Sequence, residues 1–121
     1  MSKYTMNREL EDAVLEREIS REMRERIVKN FLDVIVLTKL GGGSEALGGY
    51  DVIKLVNKKF GILISTGSAY AVLYSLERDG LIKGRSSRKR VYTLTNKGEE
   101  KIKTIMKMKE RILGFMVDIF I

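Results

Sequence analysis

The sequence contains no cysteine and no histidine. Zinc-finger chemistry, thiol nucleophiles and imidazole acid–base catalysis are therefore excluded together, as is any disulfide framework. Long apolar runs are missing too. The most hydrophobic stretch, ILGFMVDIFI at residues 112–121, is interrupted by Asp118 and is too short to span a bilayer. The first residues lack the apolar core of a secretory signal. The glycine-rich GGGSEALGG at 41–49 is not closed by Gly-Lys-Ser/Thr and follows no strand pattern, so it reads as a connection rather than a phosphate loop. The expectation is a soluble, cytoplasmic chain with no metal and no cofactor. Carboxylates such as Glu77 and Asp79 lie beside Arg78 at a helix end without a catalytic partner set, so no enzyme is expected.

Positive charge is present, and it is unevenly placed. The 121 residues hold 23 Lys+Arg against 16 Asp+Glu, a net +7. Residues 1–30 carry seven basic and seven acidic side chains, so the whole excess lies in residues 31–121. Lys83, Arg85, Arg88, Lys89 and Arg90 put five cations into eight residues with no acid among them. Such a balance favours a polyanionic partner, nucleic acid or an anionic surface. The final helix is a poor membrane binder, because its cations cluster early and its apolar end is the chain terminus.

Apolar spacing organises the rest. Leu10, Val14, Ile19, Met23 and Ile27 recur every four or five residues, and FLDVIVLTKL (31–40) is apolar enough to be buried, so residues 7–40 read as one helix or as two. Ser20 is the candidate cap of the second. After the glycine-rich loop, YDVIKLVNKKF (50–60) reads as a short amphipathic helix with Tyr50, Ile53 and Val56 inward and Lys54, Lys58 and Lys59 outward. ILI (62–64) has strand character. Ser65 then caps a helix that buries Ala69, Val72, Leu73 and Leu76, with Gly80 as its stop. LIKGR and RVYTL read as two strands of a hairpin with SSRK at its tip. Thr95 caps a last helix that runs to the C-terminus.

The fold class this order predicts is mainly α with a small β-hairpin, a winged helix-turn-helix with long N- and C-terminal helices. ILI is expected to pair with the hairpin as a third strand. Residues 1–27 form an N-terminal charged extension, 28–97 the DNA-binding domain and 98–121 a dimerisation helix. The helix after Ser65 occupies the place of a recognition helix, and its exposed residues Thr66, Gly67, Ser68, Tyr70 and Tyr74 are the candidate DNA contacts. Lys58 on the preceding helix and Arg85, Arg88, Lys89 and Arg90 on the wing are the candidate phosphate ligands. A solvated turn and a tyrosine that only caps the core edge are the competing readings for the wing and for Tyr70.

These segments also resemble a known family. NFLDVIVLTKL, GGYDVIKLV, ISTGSAYAVLYSLERDGLI and RKRVYTLTNKGEEKI look like successive motifs of the PadR-like transcriptional regulators. Gly49, Tyr50, Asp51 and Ile53 match the start of one helix, Ser65, Gly67 and Tyr70 the opening of the recognition helix, and Tyr92, Leu94, Thr95 and Gly98 the end of the wing. The resemblance covers about residues 28–103. It implies a homodimeric DNA-binding repressor with a C-terminal dimerisation helix, and it points to Ser68, Tyr70 and the wing cations as contacts. Thr66 stands where the family usually has proline, and the 41–49 loop is longer and richer in glycine than usual.

The last helix supplies a separate argument for a dimer. Ile102, Ile105, Lys109, Ile112, Met116 and Ile119 alternate spacings of three and four, and Met106, Leu113 and Phe120 widen the stripe. Ile105, Ile112, Leu113, Met116, Ile119 and Phe120 are the candidate dimer residues, with the N-terminal helix as a further contributor. The function expected is a sequence-specific, homodimeric regulator of transcription, a repressor acting on an inverted-repeat operator. The alternative is an architectural or protein-interaction winged-helix module with weak or non-specific DNA binding.

Overall fold

The computed structural model describes residues 3–43, 46–85 and 88–121. In chain order the elements are α1 (Lys3–Asn30), α2 (Leu32–Gly41), α3 (Gly49–Phe60), α4 (Thr66–Arg78), β1 (Ile82–Arg85), β2 (Val91–Leu94), α5 (Asn96–Lys107), α6 (Lys109–Val117) and a 3-10 turn at Asp118–Phe120. The chain divides into two units, Met1–Phe31 and Leu32–Ile121.

The first unit is α1. It is continuous through Ser20, so the segment 7–40 does form two helices, but they part at Phe31. The amide of Phe31 still donates to the Ile27 carbonyl at 3.0 Å. Leu10, Val14, Leu15, Ile19, Met23 and Ile27 are all exposed along α1. Charged residues at most other positions keep this long helix soluble without a core of its own.

The second unit is built around α4. β-branched residues make LDVIVLTKLG an indifferent helix former on propensity alone. Burial of Leu32, Val36, Leu37 and Leu40 holds α2 in place instead. Val52 and Val56 from α3, Ala69, Leu73 and Leu76 from α4, Ile82 and Tyr92 from the hairpin and Ile102 from α5 join them in the core, with Leu47, Ile62, Ile64 and Leu81 from the connections. The inward face of α3 is thus Gly49, Val52 and Val56. Tyr50, expected to face inward, is 63% exposed, and Ile53 is only partly covered. The reason is a contact of Tyr70: a Cβ built on Gly49 would come within 2.6 Å of that ring. The ring lies directly on the backbone of α3, with Gly49 toward α4, so Tyr50 turns outward.

Both ends of α4 follow from local chemistry. Ser65 Oγ accepts the Ser68 amide at 3.0 Å, an N-cap. At the other end the Gly80 amide donates to the Glu77 carbonyl (3.0 Å) and the Leu81 amide to the Leu76 carbonyl (2.9 Å), a Schellman termination. Thr95 then does two things. Its hydroxyl accepts the Gly98 amide at 3.1 Å, capping α5, and donates to the Gly80 carbonyl at 2.6 Å, joining the start of α5 to the end of α4.

The sheet has two strands, antiparallel, with Ile82 opposite Leu94, Lys83 opposite Thr93, Gly84 opposite Tyr92 and Arg85 opposite Val91. The third-strand expectation for residues 62–64 is corrected here. Ile62 and Ile64 are buried and Leu63 is 76% exposed, so the alternation is real, but the run forms no strand. It is a short connection between Gly61, which ends α3, and the cap of α4. The free edge of β2 is met instead by Leu47, whose amide and carbonyl exchange bonds of 3.0 and 2.8 Å with Tyr92.

The C-terminal helix is not continuous, contrary to the reading from spacing. α5 ends and α6 begins at Met108, whose amide is shared between the carbonyls of Thr104 (3.1 Å) and Ile105 (3.0 Å). The break falls six residues after Ile102, the last buried residue; α6 buries none of its own.

Candidate nucleic-acid interface

α4 turns Ala69, Leu73 and Leu76 into the core, while Val72 is only partly covered. Thr66, Gly67 and Ser68 are exposed at its N-terminus. Here the first amides of the helix and the positive end of its dipole face outward, a favourable place for an anion. Ser68 is not a free hydroxyl: Ser65 Oγ stands 3.0 Å from it. Tyr70 is 38% and Tyr74 58% exposed, with ring centroids 6.3 Å apart and 30° between planes. The Tyr70 ring lies against Gly49 of α3 and is stacked with Tyr74, and it remains 38% exposed, so core edge and solvent-facing surface coexist in this residue. On α3, Lys54, Lys58 and Lys59 are exposed, and Lys59 Nζ lies 5.6 Å from the Phe60 ring centroid.

The wing cations divide into two groups. Side chains alternate across a strand, so Lys83 and Arg85 share one face of β1 while Ile82 and Gly84 share the other. Lys83, Arg85, Arg88 and Lys89 are all exposed, and neither Arg85 nor Arg88 is ion-paired with a described residue. Ser86 and Ser87, the other half of the expected tip, lie outside the described residues.

Arg90 behaves differently. Two residues before Tyr92, it shares that residue's face of the hairpin and reaches back across β1 to α4, with its side chain still 51% exposed. Its Nη2 meets Glu77 Oε2 at 2.9 Å and its Nε donates to the Tyr92 hydroxyl at 3.1 Å. The guanidinium carbon stands 5.5 Å from the Tyr92 ring centroid. The hydrogen bond to Tyr92 first, then the bond and charge of Glu77, raise the pKa of Arg90 above its already high ordinary value. It stays cationic at every pH where the protein folds. The same Glu77 oxygen accepts the Gly84 amide at 3.0 Å. Glu77, which looked partnerless at its helix end, is the residue that sequence reasoning missed. The period-two rule was the available signal, since it assigns Arg90 to the face of Tyr92.

The candidate dimer residues split by depth. Ile105, Ile112 and Met116 are partly covered, whereas Leu113 (51%), Ile119 (70%) and Phe120 (81%) are exposed. Ile119 and Phe120 sit in the 3-10 turn rather than on α6. Among the described residues no group of three or more acidic side chains could hold a metal ion, and no helix is long and apolar enough to cross a membrane.

The arrangement of α2, α3, α4 and hairpin has known counterparts. The model of the "Transcriptional regulator PadR-like family" matches residues 36–104. The chain belongs to the PadR-like family.

Solved structures agree in fold. A PadR family transcriptional regulator from Eggerthella lenta is 19% identical, with a TM-score of 0.66 over 88% of this chain and 96% of its own. A PadR-like regulator from Bacillus cereus is 23% identical, with a TM-score of 0.63 over 78% of this chain and 96% of its own. Bacillus subtilis PadR, solved in complex with operator DNA, is 24% identical and has a TM-score of 0.55, over 62% of this chain and 46% of its own. No curated protein matches the sequence. This PadR-like chain is accordingly a transcriptional regulator with a winged-helix domain.

Proposed function

We propose that this regulator binds double-stranded DNA as a homodimer, on an inverted repeat, and acts as a repressor. The observation that carries the reading is the exposed cation pair Arg85 and Arg88, without an ion-pair partner among the described residues, on a hairpin joined to α4. In this reading the N-terminal half of α4, with Thr66, Gly67, Ser68, Tyr70 and Tyr74, enters the major groove. Arg85, Arg88 and Lys89 meet phosphates along the wing, and Lys58 meets a flanking one. Arg90, read from sequence as another phosphate ligand, is engaged within the protein and has a separate part, argued below. The complex of the Bacillus subtilis member with operator DNA supports DNA as the partner. The family consists of transcriptional regulators, which supports a role without catalysis, in the cytoplasm.

In this proposal residues 28–97 bind DNA and 98–121 dimerise. Leu113, Ile119 and Phe120 are large apolar side chains left in solvent near the C-terminus, and Ile105, Ile112 and Met116 are half covered beside them. A second copy of the chain would bury them, together with the apolar stripe of α1. Two-fold symmetry then sets two recognition helices about 34 Å apart and selects inverted half-sites.

The test is selection of genomic fragments by the purified protein near physiological salt, with the bound pool sequenced. One enriched inverted repeat is the expected result. A bound pool indistinguishable from the input would favour an architectural module, since a regulator prefers its site by about 10³-fold or more.

A further inference from the structure

The Glu77–Arg90 pair ties the outer part of the hairpin to the end of α4. A two-stranded hairpin is marginal by itself. At its base the wing is held by burial of Ile82 and Tyr92 and by the Leu47 bridge. Toward the tip it carries like charges that repel one another. Glu77 lies at the end of α4 and grips both strands of this hairpin at once. It takes the β1 backbone through the Gly84 amide (3.0 Å) and the start of β2 through Arg90 (2.9 Å).

The fit of the third residue is an independent observation. The guanidinium of Arg90 occupies the space a side chain at position 84 would need: a Cβ there would fall 2.6 Å from Nη2 and 2.7 Å from Cζ. Gly84 has no positive φ, so the backbone does not require glycine at this position. What the missing side chain leaves open is the space that the Arg90 guanidinium takes up. Tyr92, 1% exposed, supplies the rigid far wall and a hydroxyl for Nε.

We propose that Glu77 is the positioning residue of the wing, and that Arg90 is its strut rather than a phosphate ligand. Resting on the DNA-binding reading above, this assigns to Glu77, Gly84 and Arg90 the task of setting the angle at which Arg85, Arg88 and Lys89 meet the duplex. It also explains a carboxylate at the end of a helix meant to approach a polyanion. Arg90 neutralises it, and the pair together adds no net charge to the surface.

The sign of one substitution separates positioning from simple electrostatics. Glu77→Gln removes a negative charge beside the DNA, so Coulomb attraction alone would tighten binding. A lost positioning contact weakens it. Binding of the full chain to a mixed-sequence 30-base-pair duplex is measured between about 50 and 200 mM salt. The expected result is roughly tenfold weaker binding for Glu77→Gln, with a shallower salt slope. Gly84→Ala, which alters no charge, should do the same by displacing the guanidinium. Arg90→Lys should behave like Arg90→Ala, because an ammonium lacks the planar fork whose Nε and Nη2 point at the Tyr92 hydroxyl and Glu77 in fixed directions. In the free protein the Gly84 amide proton should shift upfield in Glu77→Gln, while the melting temperature confirms folding.

Equal or tighter binding by Glu77→Gln would overturn the proposal. So would full parental affinity in Arg90→Lys with loss in Arg90→Ala, the signature of a phosphate contact. If Glu77→Gln fails to fold, Gly84→Ala and Arg90→Lys decide by the same criteria. Failure of the parent to bind the duplex would instead overturn the DNA-binding reading itself, and the positioning role with it.

Discussion

At Gly80 the backbone stands at φ +76°, a conformation that costs a residue with a Cβ about 1–2 kcal/mol. The Schellman bonds that end α4 depend on it. Gly80→Ala should lower stability by about that amount in urea titrations, with no change in the denaturant slope. Gly80 was legible in the sequence because its reason is local: a helix needs a stop. Glu77 was not, because its reason is thirteen residues away in Arg90. Tyr70 falls between the two. Its place on α4 could be read from spacing, but its contact with Gly49 depends on how α3 and α4 cross.

Among the elements, helix existence was legible wherever capping and apolar spacing agreed, as in α4 with Ser65, Leu73 and Leu76. The rotation of α3 was not. Val52 and Tyr50 each give an acceptable apolar stripe, and only the Tyr70 ring against Gly49 decides which faces inward. The ILI run shows the limit of period-two reasoning. Alternating burial is needed for a strand but also suits a three-residue connection that drops two isoleucines into a core. The wing is the element whose charge carries a separate prediction. If Arg85 and Arg88 both meet phosphate, replacing both by alanine should reduce the slope of log K against log salt by about 1.8. Affinity for all duplexes should fall alike, leaving site preference unchanged. Filter binding over a salt series measures both. An unchanged slope would return the wing to a solvated turn.

For the whole molecule, the decisive quantity is the apolar surface left in solvent. Leu10, Val14, Leu15, Ile19, Met23 and Ile27 are exposed along α1, and Met106, Leu113, Phe115, Val117, Ile119 and Phe120 are exposed near the C-terminus. If, as proposed, a two-fold partner covers these faces, stability depends on protein concentration. Leu113→Glu with Phe120→Glu should give a monomer in sedimentation equilibrium. It should also melt at a temperature independent of concentration and lose most of its affinity for an inverted repeat. Retention of the parental mass would place the dimer contact elsewhere.

The sequence by itself determined the order of α3, α4 and the hairpin, the placement of cations on the hairpin, and the caps of α4 and α5. Each follows from interactions within a few residues or from composition, which any folded form of the chain must respect. Tertiary structure alone decided the inward face of α3, the break at Met108 where buried contacts end, and the separation of Arg90 from the other wing cations. These depend on pairs of side chains far apart in sequence. Glu77 and Arg90 have the same chemistry in every conformation of the chain. Only packing of the hairpin against α4, through a strand position with no side chain, brings them to 2.9 Å.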